Sequence, residues 1–269
     1  MKHRSSYRLR GLAIVGIVAL LTYSTLMEPY RLEVVRHDMR KADASETLRL
    51  VQVSDLHLRD FGKHEQTLVE QIKALDADVV VLSGDAVDRQ EAIPWLRAFI
   101  KALGDTPVLH VPGNWEHWSR LSAESLTSTG ARLLLNEKWI LQKGKRRLEV
   151  VGLDDYTAGQ PDLDLLDRND LSPSAPITVV VQHSPAFFDQ ASVGQRMGST
   201  RFDLCLAGHT HGGQVALFGW APWKPPGSSY FTAGFYDVPG CRLYVSRGLG
   251  TSILPVRLGS IPELVVFDF

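Results

Sequence analysis

Five short apolar runs in this chain each end at a residue able to bind a metal. LRLVQVS (48–54) leads into Asp55 and His57 of SDLH, and ADVVVLS (77–83) into Asp85 of SGDAVD. PVLHV (107–111) leads into Asn114 of PGNWE, ITVVVQ (177–182) into His183 of QHSP, and DLCLA (203–207) into His209 and His211 of AGHTHGG. Continuous apolar runs of this length read as strands buried on both faces. Between the first two, Leu68, Val69, Ile72 and Leu75 recur at helix spacing over 65–75, and a second helix is expected near 91–102. Further strands are expected at 147–153, 242–246 and 263–268. Strand–helix alternation predicts an α/β domain, and so many strands predict two packed sheets between helices. The stretch 217–234, rich in Gly, Pro and aromatic residues, reads as a surface loop.

Functional groups gather at the carboxyl ends of strands in open α/β sheets, where the loops converge on one crevice. Five segments would thus deliver two carboxylates, one amide and four imidazoles to one place. That set suits two transition-metal ions with open positions for water and substrate. With Asp85 bridging, one ion takes Asp55, His57, Asp85 and His211, and the other takes Asp85, Asn114, His183 and His209. Four imidazoles argue against Mg or Ca and for Mn, Fe or Zn. Two divalent ions against two carboxylates leave a charge of about +2, attractive to a phosphate. Each motif alone has a plain structural reading, since DxH is common and GD is a turn; the ordered series carries the signal. His3, His37 and His64 read as exposed polar residues.

Composition removes other classes. The chain has 269 residues, 44% hydrophobic and 22% charged, with a net charge of −1. It is long enough for a large core and offers no general basic field for nucleic acid. Two cysteines make no disulfide framework, and no CxxC or CxxH spacing marks a structural zinc site. Cys205, in the run before AGHTHGG, reads as a small buried residue.

Residues 11–27 carry no charge and follow Lys2, Arg4, Arg8 and Arg10. Seventeen residues lie at the short end of a membrane span. No small-x-small cleavage site or twin-arginine pair is evident, which favours an uncleaved anchor in the cell inner membrane over a signal peptide or a buried core helix. Arg31, Arg36, Arg40 and Lys41 nearly cancel the charge bias, so orientation stays open, as does a helix lying in one leaflet. The expected organisation is a basic tail (1–10), an anchor (11–27), a linker (28–46) and a catalytic domain (47–269).

The order DxH, GDxxD, GN, a later His and GHTH resembles the calcineurin-like metallophosphoesterase superfamily over residues 48–269. The tail SRGLGTSILPVRLGSIPEL resembles its bacterial membrane-associated branch. The resemblance implies a four-layer α/β/β/α sandwich, a dinuclear centre with Mn foremost and Fe or Zn as alternatives, and hydrolysis of a phosphoester or pyrophosphate bond. It supports the same seven ligands. Some similar enzymes hydrolyse UDP-diacylglucosamine in lipid A synthesis, and others act on envelope phosphoesters. The expected partners are therefore a phosphorylated small molecule or lipid and a membrane, with the chain acting as a monomer.

The sequence departs from that pattern at one position. Members usually read GNH followed by an acid; this chain reads Gly113-Asn114-Trp115-Glu116. The His that assists the leaving group is Trp115 here, which bears on an effect worth about 10²–10⁴-fold. His117 stands two residues on, either as a substitute catalytic acid or as a solvated residue at a helix start. Trp220, Trp223, Tyr230, Phe231 and Phe235 form an apolar wall for a lipid, a surface pressed against the membrane, or core packing over a sheet edge. Arg59 and Arg247 are either hooks for a second phosphate or structural arginines. A competing function is a noncatalytic binding or scaffold protein on the same fold.

Overall fold

The structure, a computed structural model, describes residues 2–40, 46–167, 175–217 and 219–269. Twelve strands are present among these residues. They are β1 (Glu33–Asp38), β2 (Arg49–Val53), β3 (Val79–Ser83), β4 (Val108–Val111), β5 (Arg132–Leu133), β6 (Glu137–Lys143), β7 (Arg146–Gly152), β8 (Ile177–Val181), β9 (Leu204–Ala207), β10 (Gly234–Val238), β11 (Cys241–Val245) and β12 (Glu263–Asp268). One sheet runs β1-β12-β2-β3-β4-β5 and the other β10-β11-β9-β8-β7-β6. The central pairs β2–β3, β3–β4, β7–β8 and β8–β9 are parallel, so their carboxyl ends share one edge of each sheet.

Side-chain alternation builds the layers. In β2, Val51 and Val53 face outward, in a core shared with Leu68 and Ile72 of α2 (Lys63–Ala74) and Leu96 and Phe99 of α3 (Ile93–Ala102). Leu50 faces inward and joins Val79, Val81, Val150, Val179 and Leu204 between the sheets. On the far side, Val180 and Leu243 pack with Phe187 and with Val193 and Met197 of the helix Ala191–Gly198. The result is the expected α/β/β/α order. Phe99 is fully buried, and truncating it to Ala would cost about 3–5 kcal/mol.

The helix α1 starts at Lys2, so the stretch expected to be a basic tail is its first turns. It runs to Thr22, widens over Tyr23–Met27 and tightens over Glu28–Tyr30, where Pro29 lacks the N–H a continuing helix needs. Arg10–Tyr30 is long and apolar enough to cross a membrane. Its apolar side chains are open, with Leu12 at 70% and Val15 at 66% exposure.

The expected linker is not all linker. Glu33–Asp38 is the edge strand β1, paired in parallel with β12 from Glu33↔Glu263 to Asp38↔Asp268. Its two valines lie among charges, so it lacks an apolar run, and its charged residues suit an exposed edge. His37 is also not a plain exposed residue: its ring packs against Phe235, Tyr244 and Phe267 at 4.7–5.4 Å. His64 is exposed as expected, and His3 lies outside the described side chains. Cys205 is buried as expected but is bonded to Cys241, a disulfide joining β9 to β11 across 36 positions. A spacing of that size carries no local signal.

Candidate metal centre

The seven residues singled out above stand at the carboxyl ends of β2, β3, β4, β8 and β9 and are all buried. They gather as two adjoining triads. Asp55, His57 and His211 offer ligand atoms within 4.8 Å of one another, as do Asp85, His183 and His209. Asp85 Oδ2 lies between the groups, 3.8 Å from His57 Nε2 and 3.1 Å from His183 Nε2. Asn114 Oδ1 lies 2.8 Å from His209 Nδ1.

These contacts have the pattern of shared ligands. The Nδ1–H of His183 donates to the Ser83 carbonyl (2.8 Å), which leaves its Nε2 aimed inward at Asp85 Oδ2. The Nε2–H of His209 donates to the Pro226 carbonyl (2.7 Å), which leaves Nδ1 facing the Asn114 oxygen, another lone-pair atom. His57 Nε2 and His211 Nε2 meet at 3.2 Å. Two nitrogens each about 2.1 Å from one tetrahedral ion would stand at about that separation. Backbone carbonyls that fix a His tautomer are the usual outer support of a metal site. The donor set therefore fits a pair of divalent ions.

Charge leads to the same fit. Burial raises Asp55 above the usual carboxylate range and Asp85 to about 7. Burial also lowers His57 to about 3, His209 to about 4 and His211 well below its ordinary value. At His183 burial acts to lower the value, but the Asp85 and Asp55 carboxylates hold it well above normal. Buried carboxyls beside mostly neutral imidazoles hold protons that a bound cation would displace.

The backbone is bent to build this cluster. Asp55 (φ 51°), His57 (43°), Asp85 (53°), His209 (70°) and His211 (50°) all occupy the left-handed region that side chains usually avoid. Such conformations cost about 1–3 kcal/mol each and persist where the surroundings impose them. Gly84 (φ 95°) has its backbone against the His183 ring, where a Cβ would strike Nδ1. A Cβ at Gly208 would strike Ser54 and Asp55.

Outer residues hold the ligands in place, and sequence reading missed them. Glu116 is buried and accepts the backbone N–H groups of Gly113 (2.9 Å), Asp85 (3.0 Å) and Ala86 (2.7 Å), tying the Asp85 and Asn114 loops together. Burial acts to raise its pKa, but His110 and the Gly113 N–H hold it at about 2. Its signal was legible: a Gly followed three residues later by Glu is a helix-start pattern, and it opens the short helix Asn114–Trp118. Asp155 accepts from Ser184 (2.6 Å), the residue after His183. Arg257 is fully buried, with Nη2 3.4 Å from His211 Nδ1.

Trp115 borders the centre. Its backbone N–H donates to Asp85 Oδ1 (2.9 Å), and its ring stands edge-on to His57 at 5.9 Å. It lines a cavity of about 450 Å³ that also touches Asp85, Asn114, His209 and His211. His117 is not among the residues lining that cavity. Its Nε2 pairs with Asp154 Oδ1 at 2.6 Å, and it borders a separate void of about 30 Å³ with Pro112 and Leu121. It is therefore neither at the triads nor freely solvated.

The remaining expectations divide. Arg247 is engaged by Glu33 and Glu263, each at 2.7 Å, and ties β1 to β12. Arg59 donates to the Thr251 carbonyl (3.1 Å) beside a cleft next to His57. Of the aromatic loop, Trp220, Trp223 and Tyr230 are exposed, whereas Phe231 is fully buried. Phe235 packs against Tyr244 at 4.9 Å. Trp223 alone of these five lines the large cavity.

Known proteins match this chain. The family model for calcineurin-like phosphoesterases matches residues 48–213. The metallophosphoesterase YkuE of Bacillus subtilis is 30% identical, with 91% of this chain and 88% of that protein covered. The phosphodiesterase YaeI of Escherichia coli is 28% identical, with 91% of each covered. Among solved structures, the sulfate thiohydrolase SoxB of Thermus thermophilus aligns with a TM-score of 0.51 at 14% identity, over 86% of this chain and 58% of that one. At that identity the likeness is one of fold.

Proposed function

The chain belongs to the calcineurin-like phosphoesterase family of metal-dependent phosphoester hydrolases, and on that premise we propose that its seven buried side chains hold two divalent ions that serve hydrolysis of a phosphodiester or pyrophosphate bond. Asp55, His57 and His211 would hold one ion and Asn114, His183 and His209 the other, with Asp85 available to both. The observation that carries this reading is the inward convergence of the ligand atoms His183 Nε2, His209 Nδ1 and Asn114 Oδ1 beside Asp85.

A bound ion pair supplies Lewis acidity toward phosphoryl oxygens and a nucleophilic water at neutral pH. Mn, Fe and Zn all suit these imidazole and carboxylate donors, with Mn the first candidate. The chain's own part is positional. Ser83 and Pro226 fix two imidazole tautomers, Glu116 ties the Asp85 loop to the Asn114 loop, and the Trp115 N–H fixes one oxygen of Asp85. Both triads come from one chain, so a monomer suffices.

The apolar helix supports an anchor in the cell inner membrane, and the disulfide supports an oxidising compartment for the domain. A lipid-linked envelope precursor such as UDP-diacylglucosamine would meet the site at the membrane surface. Trp115, in place of an acid, is the one feature that favours a noncatalytic binding protein. The complete ligand set favours hydrolysis. Purified full-length chain loaded with Mn should turn over bis(p-nitrophenyl) phosphate, and a metal-free, inert preparation would favour the binding protein.

A further inference from the structure

The cavity beside the triads has a composition that narrows the substrate. Its titratable lining residues are Asp85, His209 and His211, all engaged in the triads. Among the described residues, the rest of its lining offers no group that could donate a proton to a departing oxygen, and Trp115, Trp118, Val215, Trp223, Ile253 and Leu254 supply apolar surface. Ile253 and Leu254 are 71% and 63% exposed, so the apolar surface continues to an open rim. A volume of about 450 Å³ is within the range of ligand pockets, and an apolar wall of this size favours an apolar ligand body.

The rim is tied to the apolar helix. Three residues beyond Leu254, the Arg257 N–H donates to the Ser24 carbonyl at 2.9 Å. Thr251 and Pro255, on either side of the rim, share a second cleft with Thr25, Pro29 and Tyr30 at that helix's end. An alkyl chain leaving a lipid layer beside the helix would thus meet the open end of the cavity.

Resting on the phosphoesterase reading above, we propose that the site takes an amphiphilic phosphoester or phosphoanhydride, with its alkyl or acyl chain along Trp115, Trp118 and Leu254 and with a leaving group that departs unprotonated. Trp115 is then a specificity-determining residue: it supplies apolar wall where an acid would serve poor leaving groups. In the step, water oxygen bonds to phosphorus, the bond to the leaving oxygen breaks, and that oxygen keeps the electron pair. The water's protons pass to solvent.

The test uses full-length, Mn-loaded protein in detergent and p-nitrophenyl alkyl phosphodiesters from methyl to decyl. The expected kcat/KM rises about twofold to fourfold per methylene until the cavity is filled. Leu254→Asp, at an exposed position that tolerates charge, should flatten the decyl-to-methyl ratio. A second series of methyl aryl phosphodiesters with progressively more basic leaving groups should show a steep fall in rate. Trp115→His should make that fall shallower, and Trp115→Phe should keep it steep. Titration with octylphosphonate should change tryptophan fluorescence in the wild type and less in Leu254→Asp. A flat chain-length series together with no fluorescence change overturns the apolar subsite, and equal rates across leaving groups overturn the role given to Trp115. Absence of any hydrolysis with every ester would instead overturn the phosphoesterase reading itself.

Discussion

Glu28 accepts the backbone N–H of Ser260 at 2.8 Å, and the Ser260 hydroxyl in turn donates to the carbonyl of His211 at 2.6 Å. The turn at the end of the apolar helix is thereby built into the support of one triad. Glu28 and Ser24 are 2% and 3% exposed, and the Arg257 side chain donates to the Ser260 carbonyl.

Glu28→Ala should therefore affect the metal centre. It leaves a buried N–H unpaired, at a cost of about 1–3 kcal/mol. It also loosens an outer support, a change that typically weakens metal affinity about 10–100-fold. Urea unfolding and calorimetric titration of Zn into the detergent-solubilised full chain measure both. Glu28→Gln keeps an acceptor and should lie near wild type. Unchanged affinity in Glu28→Ala would show that the turn does not support His211.

The Cys205–Cys241 bond closes a long loop between neighbouring strands. Replacing both with Ser should lower stability by about 3–4 kcal/mol, from the added freedom of the unfolded chain. Thermal unfolding with and without reductant reads this directly. Equal melting temperatures would mean that the bond adds little.

His117 and Asp154 give a pH-dependent signature. Hydrogen bonding to Asp154 raises His117 above its ordinary 6.5. Burial acts to raise Asp154 from its ordinary 3.8, but the bond to His117 lowers it on balance. The His contribution is complete below pH 6.5 and fades as pH rises through the raised value. The Asp contribution is complete above 3.8 and fades as pH falls through the lowered one. His117→Ala should thus cost most between those limits, about 1 kcal/mol for a partly exposed pair. Turnover in the same variant should fall far less than the roughly 10²-fold that loss of a general acid brings. A larger loss would return the proton-donor role to His117.

Much of this molecule was legible in the sequence, for a physical reason. Strands buried on both faces must be apolar throughout, so β2, β3, β4, β8 and β9 stood out, and their carboxyl ends marked the ligands. Strands at or near sheet edges carry weaker patterns. In β1 and β6 the valines, Trp139 and Ile140 are interspersed with charged residues, and β5 has only two residues. The supporting groups were harder still to read. Arg257 and Asp155 act through partners distant in sequence, and no spacing rule pairs Glu28 with Ser260. The positive φ values at five of the ligands were likewise hidden, because none of the five is a glycine.

In the proposed centre, Asp85 would join two ions into one hydrolytic site. Metal content by mass spectrometry, measured on the same samples as turnover of bis(p-nitrophenyl) phosphate, tests it most directly. The wild-type chain should carry two ions. Asp85→Ala should lose metal and drop turnover by more than the roughly 100-fold of an outer-support change. Chelated, metal-free wild type should be inactive and recover on adding Mn. Full turnover by metal-free protein, or an Asp85→Ala chain that keeps two ions and its rate, would contradict it.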